Sequence, residues 1–324
     1  VLVFNLNALE GMLVRKMKGK VIAASFFLIV VLIGYTVWDN QRITVAKQDI
    51  IIKHLPKELE GFSIVQITDL HEKEFGENQE RLINTINSIH YDAIVFTGDM
   101  MKNNSENAVP FYTLIEGIEN KQHALFVHGN TDPKSYRTSS SNLEKGKFVK
   151  DMESKGVRLL DSTYTVKRGN AHIQFVNFDW SLKTENKSKT SGSHLSNNKG
   201  YPEKETSDLV IGLNHFPVVD SHIDALLRDP SVTFRYYDLI MAGHYHGGQF
   251  RIPFFGALFV PEAWYEKSGL FPPQDRVKGL WEYKHIKQYV SAGLGSNGPI
   301  PFLNFRFFDS PEINVLTFKS RKTE

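Results

Sequence analysis

The chain predicts an α/β fold made of two mixed β-sheets with helices on their outer faces, set behind one membrane-spanning helix at the amino end. Three observations carry this expectation. Five apolar runs, each short enough for a buried strand, stop abruptly at polar residues. Residues 62–68 end in Asp69-Leu70-His71, 93–97 in Gly98-Asp99, 124–128 in Gly129-Asn130-Thr131-Asp132, 209–213 in Asn214-His215, and 237–241 in Ala242-Gly243-His244-Tyr245-His246. Amphipathic stretches lie between runs: Leu82, Ile83, Ile86 and Ile89 share one helical face within 78–90, as a crossover between parallel strands requires. Finally, residues 163–167 and 172–176 alternate about Arg168-Gly169-Asn170, which signals a hairpin and hence a second, mixed sheet.

In chain order, Arg15, Lys16, Lys18 and Lys20 precede residues 21–38, a run of 18 residues without charge. As a helix it is roughly 27 Å long, close to the thickness of a bilayer core. Basic residues on its amino side place 1–20 in the cytoplasm, and Trp38 suits the far interface, so the rest of the chain is expected outside the cell membrane on a single-pass signal-anchor. A cleaved signal peptide is the competing account, but no small-x-small site directly follows the run, and 44–46 comes late. Met17 begins a more ordinary signal-anchor than Val1, so residues 1–16 carry no fold argument. No twin-arginine pair precedes the run, which predicts export in the unfolded state.

Residues 39–49 read as a stalk, and the main domain is expected over 50–324, starting with an edge strand near 50–54. Further helices are expected at 109–118 and 142–155. Residues 181–207 are rich in Ser, Thr, Asn and Lys and predict a mobile polar loop, either a tolerated surface insertion or a flap over the site. Residues 252–261, with Trp264, Tyr265, Phe302, Phe305, Phe307 and Phe308, form a dense aromatic segment. Its side chains either finish the core or stay exposed as a patch facing the bilayer.

Over 324 residues, 41% hydrophobic and 23% charged residues describe a globular chain with a sizeable core. A formal net charge of +2, with no Arg-rich or aromatic-interleaved stretch, argues against nucleic acid. There are no cysteines, which excludes disulfides, thiol nucleophiles and thiolate metal sites together. A monomer is expected.

The chemistry starts from the two histidines of the last run. With one residue between them in a glycine-rich turn, His244 and His246 can aim at two neighbouring metal ions, one each. Ligands at the carboxyl ends of several strands can converge with them without being close in sequence. A dinuclear centre needs at least one shared anionic ligand and several neutral ones. Imidazole and carboxylate without sulfur suit manganese, iron or zinc better than magnesium or calcium.

Taken in order, Asp69-Leu70-His71, Gly98-Asp99, Gly129-Asn130-x-Asp132, His215 and Gly243-His244-x-His246 resemble the five motifs of the calcineurin-like metallophosphoesterases. Gly247-Gly248-Gln249 and Ala292-Gly293-Leu294-Gly295-Ser296 resemble the membrane-anchored bacterial branch of that family. The resemblance covers about residues 50–320. It implies a four-layer α/β/β/α sandwich holding two divalent metal ions, with Asp99 as the bridging carboxylate. Asp69, His71 and His246 would complete one site and Asn130, His215 and His244 the other; Asp99, Asn130 and His244 would be catalytic. The implied activity is hydrolysis of a phosphodiester, pyrophosphate or phosphomonoester by metal-activated water, with an envelope lipid or nucleotide-linked compound among the candidate substrates. One departure stands out. The family commonly has His after the Asn of the third motif, as a contact to the scissile phosphate, and this chain has Thr131, which cannot be a general acid near neutral pH. Its hydroxyl is left as a phosphate contact, His128 and Tyr245 as replacement acids, and Asp132 as a group that orients a ligand. The alternative function is a metal-bearing scaffold of the same fold that binds an envelope polymer or a partner with little turnover.

Overall fold

The apolar runs form strands because they are apolar at most positions and are covered on both faces, which suits the interior of a largely parallel sheet. The computed structural model describes residues 2–103, 105–139, 142–182, 207–229, 237–298 and 301–321. After helix α1 (Leu2–Asn40) come β1 (Thr44–Ile52), β2 (Ser63–Ile67), α2 (Glu80–Asn87), β3 (Ala93–Phe96), α3 (Val109–Gly117) and β4 (Ala124–Phe126). The next elements are β5 (Tyr136–Ser139), β6 (Asn142–Lys145), α4 (Lys147–Ser154), β7 (Arg158–Leu159), β8 (Tyr164–Arg168), β9 (Ala171–Asn177) and α5 (Phe178–Ser181). Then follow β10 (Leu209–Leu213), α6 (Asp220–Arg228), β11 (Leu239–Ala242), β12 (Arg251–Ile252), β13 (Gly256–Ala257), β14 (Gly279–Tyr283), β15 (Ile286–Val290) and β16 (Glu312–Ser320).

Among the described residues, two six-stranded sheets dominate, with strand orders β1-β16-β2-β3-β4-β7 and β14-β15-β11-β10-β9-β8. In the first, β2, β3, β4 and β7 run parallel, while β16 is antiparallel to β2 and parallel to β1. In the second, β15, β11, β10 and β9 are parallel and the edges β14 and β8 are antiparallel. Alternation along each strand sorts side chains between layers. Ile64, Val95 and Leu125 of the first sheet share one core with Phe175, Ile211 and Met241 of the second. Their neighbours Val65, Ile94 and Phe126 pack outward with Leu82 and Ile86 of α2, Phe111 of α3 and Phe148 of α4. On the far side Val176, Val210 and Ile240 pack with Ile223 of α6 and with Trp281. The order of layers is therefore helix, sheet, sheet, helix, with each fully buried aliphatic contributing about 1.5–3 kcal/mol. One polar tie crosses the middle. Buried Gln66 donates to Thr97 Oγ1 and to Ala242 O, both at 2.9 Å, which brings the carboxyl ends of β2, β3 and β11 together.

Several expectations shift. The helix expected over 142–155 begins at Lys147, because residues 142–145 pair with 136–139 as a small hairpin. Strand β1 begins at Thr44, so most of the segment expected as a stalk is an edge strand, paired from Thr44↔Glu312 to Ile52↔Ser320. Helix α1 is continuous through the basic residues and carries a stretch, Arg15–Asn40, long and apolar enough to cross a membrane. Of the loop expected at 181–207, residues 183–206 lie outside the described residues.

Candidate metal centre

The candidate ligands sit where strands end in turns that most residues avoid. Asp69, His71, Asp99, His244 and His246 have φ of 52°, 45°, 57°, 69° and 51°, all in the left-handed region, which costs roughly 1–2 kcal/mol each. Neighbouring loops hold them there: Asp69 N–H donates to Gly98 O (2.9 Å) and His71 N–H to Asp99 O (3.0 Å). Asp132 does most of this work at the second turn. Its carboxylate accepts the N–H groups of Asp99 (2.8 Å), Gly129 (2.9 Å), Met100 (2.8 Å) and Met101 (3.1 Å). The loops meet so closely that a Cβ on Gly129 would lie 2.2 Å from Asp99 Oδ1, and one on Gly243 2.4 Å from Asp69 Oδ2.

Two pockets result. Asp69, His71 and His246 form one group and Asp99, His215 and His244 the other, with the ligand atoms of each group within 4.8 Å of one another. In the first, His71 Nε2 lies 3.2 Å from His246 Nε2 and 3.9 Å from Asp69 Oδ1, and His246 Nε2 lies 3.7 Å from that oxygen. In the second, His215 Nε2 is 3.1 Å from His244 Nδ1, 3.1 Å from Asn130 Oδ1 and 3.4 Å from Asp99 Oδ2. The same Asp99 Oδ2 is 3.6 Å from His71 Nε2, so one carboxylate oxygen faces both pockets. Its other oxygen accepts Thr131 N–H (2.8 Å), which fixes the carboxylate plane.

The ring partners decide which nitrogens face inward. His71 Nδ1 lies 3.1 Å from Met101 O and His215 Nδ1 2.9 Å from Thr97 O; a carbonyl only accepts, so both Nδ1 atoms carry a proton and each Nε2 is the atom that faces its pocket, free to offer a lone pair once a cation takes the place of any proton there. Unshielded lone pairs converging on carboxylate and amide oxygens repel unless a cation lies between them. The buried donor set thus fits metal ions in both pockets. The electrostatics agree. Burial pushes His71 down to about 4 and His244 down to about 3, and holds His246 well below the usual range, so all three are neutral at pH 7. Burial also raises Asp69 to about 7. Burial opposes a charge on His215, yet the carboxylates of Asp99 and then Asp69 raise it to about 9. The second pocket favours a positive charge at its centre.

All seven residues expected to hold metal converge here, with Asn130 and His244 on the more open side. Two of the three residues considered for the leaving group turn away. The Thr131 hydroxyl donates to Met101 O (2.6 Å) instead of facing the pockets, and Tyr245 is buried in the outer core with its hydroxyl on Glu262. His128, exposed at the end of β4, lies near enough to Asp132, His215 and Asp99 for their charges to act on it. Arg306 was not anticipated. It is completely buried and donates to Gly295 O (2.7 Å), Ala292 O (2.8 Å) and His246 O (2.8 Å), pinning the His246 turn. Its own backbone exchanges two hydrogen bonds with the Asn40 side chain at the end of α1, at 2.7 and 2.8 Å. A pair of opposite charges, Arg306 inside the aromatic run 305–308 and Asp309 directly after it, was the available signal.

Comparison with known proteins follows the same residues. The calcineurin-like phosphoesterase family model matches residues 62–248. The uncharacterized metallophosphoesterase YkuE of Bacillus subtilis (strain 168) is 26% identical over 82% of this chain and 82% of its own length. YkoQ of the same organism, also an uncharacterized metallophosphoesterase, is 25% identical over 78% of this chain and 81% of its own. Cj0846, an uncharacterized metallophosphoesterase of Campylobacter jejuni, is 26% identical over 85% of this chain and 63% of its own.

Proposed function

The chain belongs to the calcineurin-like phosphoesterase family, a metal-dependent phosphoester hydrolase by that membership, and on this premise we propose a dinuclear centre held by Asp69, His71, Asp99, Asn130, His215, His244 and His246. The observation that carries the reading is the position of Asp99 Oδ2, 3.6 Å from His71 Nε2 and 3.4 Å from His215 Nε2, where a single oxygen serves two pockets. Two bound divalent cations supply Lewis acidity toward a phosphoryl oxygen and an acidified water. The chain's part is to fix charge and geometry. Two carboxylates, Asp69 and Asp99, against two divalent cations leave two positive charges to be matched by a substrate phosphate, while the imidazoles add none. The left-handed turns aim the ligands, and the carbonyls of Met101 and Thr97 hold the ring tautomers of His71 and His215. Asn130 and His244 flank the open side, where the phosphate would enter.

The Thr131 hydroxyl is committed to Met101 O and donates no proton. The substrate is therefore a diester, pyrophosphate or monoester whose leaving group either departs without protonation or takes its proton from His128. The Arg15–Asn40 stretch would hold the chain in the cell membrane, with the basic end inside and the hydrolase outside. Manganese, iron or zinc suit this donor set. The test is metal analysis with turnover. The full chain in lipid nanodiscs, loaded with manganese, should bind two ions and hydrolyse bis-4-nitrophenyl phosphate. Asp99→Ala should lose at least one ion and fall to below about one-hundredth of that rate. Two ions retained by the variant would sink the shared-carboxylate assignment.

A further inference from the structure

A cavity of about 760 Å³ lies between α1 and the hydrolase domain, and it reaches the candidate metal centre at His71. Its helical wall runs from Ile29 through Ile33 and Val37 to Asn40, a span of about 17 Å at the helical rise, close to the roughly 15 Å depth of one bilayer leaflet. Phe250, Phe305 and Phe307 form the opposing wall. The helix side chains are not packed away by the domain. Ile29, Ile33 and Val37 are each more than half exposed, although they belong to the stretch fit to span a membrane.

The polar end of the cavity differs from the rest. His71, Lys73 and Lys102 line it, and the Lys73 Nζ is buried without a hydrogen-bond partner among the described residues, 5.0 Å over the Phe75 ring. A buried, unpaired amine, with the exposed Lys102 at the same end of an apolar trough, suits an anion attached to a hydrocarbon. The aromatic segment adds a second indication. Phe254 is fully exposed and Phe255 and Phe259 are 53% and 48% exposed, so these side chains do not complete the core. Phe254 and Phe255 adjoin α1 through Phe308, which shares a small cavity with them and packs at a tilt against Tyr35 with ring centroids 5.2 Å apart. An apolar face therefore flanks the membrane helix at the level of the cavity.

Taking the phosphoesterase reading as given, we propose that the substrate is a phosphate ester bearing a long alkyl or acyl chain, with its phosphate at the candidate metal centre and its chain in the cavity along α1. The membrane helix is then one wall of the substrate site as well as an anchor. Continuity decides the occupant: a chain alone would not use the cationic end, and a soluble phosphate would not use the trough.

The experiment compares 4-nitrophenyl phosphodiesters whose second arm is butyl, octyl or dodecyl, so that the bond broken and the leaving group stay constant. The manganese-loaded full chain in phosphatidylcholine nanodiscs should show kcat/KM rising by about tenfold or more from butyl to dodecyl. Ile33→Trp, which fills the trough from an exposed helix position, should cut the dodecyl-to-butyl ratio by about fivefold or more. Partition into the disc is shared by both proteins, so an unchanged ratio overturns the proposal. A second readout needs no turnover. Dodecylphosphonate with a diazirine at the chain end should photolabel residues 29–37 and 305–307 of the loaded chain, and a diazirine-bearing dodecanol should not. Equal labelling by the alcohol would mean that ordinary bilayer lipid fills the trough, and the proposal falls. If even the butyl ester is not hydrolysed by the parent chain, the phosphoesterase reading fails by itself, and photolabelling alone then decides the chain site.

Discussion

Replacing Asp132 with Asn tests whether the second turn is held by a carboxylate that touches no candidate ligand side chain. Each of its oxygens accepts two backbone N–H groups, Oδ2 from Asp99 and Gly129 and Oδ1 from Met100 and Met101, at 2.8–3.1 Å. An amide has one oxygen. In either orientation its NH₂ group faces two N–H donors, so two charge-assisted bonds are lost and two buried donors are orphaned. At about 1.5–3 kcal/mol per bond, the expected destabilisation is about 3–6 kcal/mol. The left-handed backbone of Asp99 then loses its restraint, and the oxygen shared between the pockets moves with it. At about 2 °C per kcal/mol for a domain of this size, Tm should fall by about 6–12 °C. Circular dichroism of the full chain in nanodiscs, with metal content measured on the same samples, reads both consequences. An Asn variant that unfolds within about 2 °C of the parent and keeps its full metal complement would refute the reasoning.

Arg306→Lys should lower metal affinity and turnover by about 10–100-fold, because one ammonium cannot span the carbonyls of His246, Ala292 and Gly295; isothermal titration with manganese checks this, and unaltered affinity would remove Arg306 from the supporting set. Chelation should make stability depend on pH above neutrality. His215 rises from 6.5 to about 9 in the folded chain, so its contribution is complete below 6.5 and is lost as pH climbs through 9; Asp69, raised to about 7, acts in the same direction up to that pH. Lys73, which burial pulls down from 10.5 to about 7, contributes stability that grows over the same window and opposes this slope. In a Lys73→Met background the chelated protein should therefore lose Tm from pH 7 to pH 9, and a divalent cation should abolish the slope by replacing the proton; a flat or rising Tm after chelation in that background would count against the charge arrangement.

Much of the site was legible because each ligand follows a run of apolar residues that must be buried on both faces. Such runs end only at strand ends, and parallel strands present those ends on one side. Asp69, Asp99, Asn130, His215, His244 and His246 were thus placed together without any contact being known. What escaped detection depended on distant partners. Strand β1 starts at Thr44 because β16, some 270 residues later, supplies its ladder, and nothing in the polar segment 44–49 announces that partner. The hairpin of β5 and β6 displaced the start of α4 because its sequence lacks apolar alternation. The side chain of Thr131 could be read as free for substrate until Met101 O was seen to accept its hydroxyl at 2.6 Å. The aromatic segment was ambiguous in sequence, since exposed and buried phenylalanines look alike; the exposure of Phe254, Phe255 and Phe259 separates them.

The last turn of α1 has a consequence for where the soluble part of the molecule begins. Asp39 is almost fully buried and accepts bonds from Arg42 and the Ser310 hydroxyl, and Asn40 closes a ring of hydrogen bonds with the backbone of Arg306. Arg306 in turn grips the carbonyl of His246. The natural boundary of the hydrolase therefore falls inside the helix, about one turn before its end, and not in the polar connection after it. A fragment cut at residue 45 would keep every candidate ligand while leaving the Arg306 backbone bonded to water, with the His246 turn loosened from that side. Solubility obtained by such a cut would come at the site it was meant to reveal.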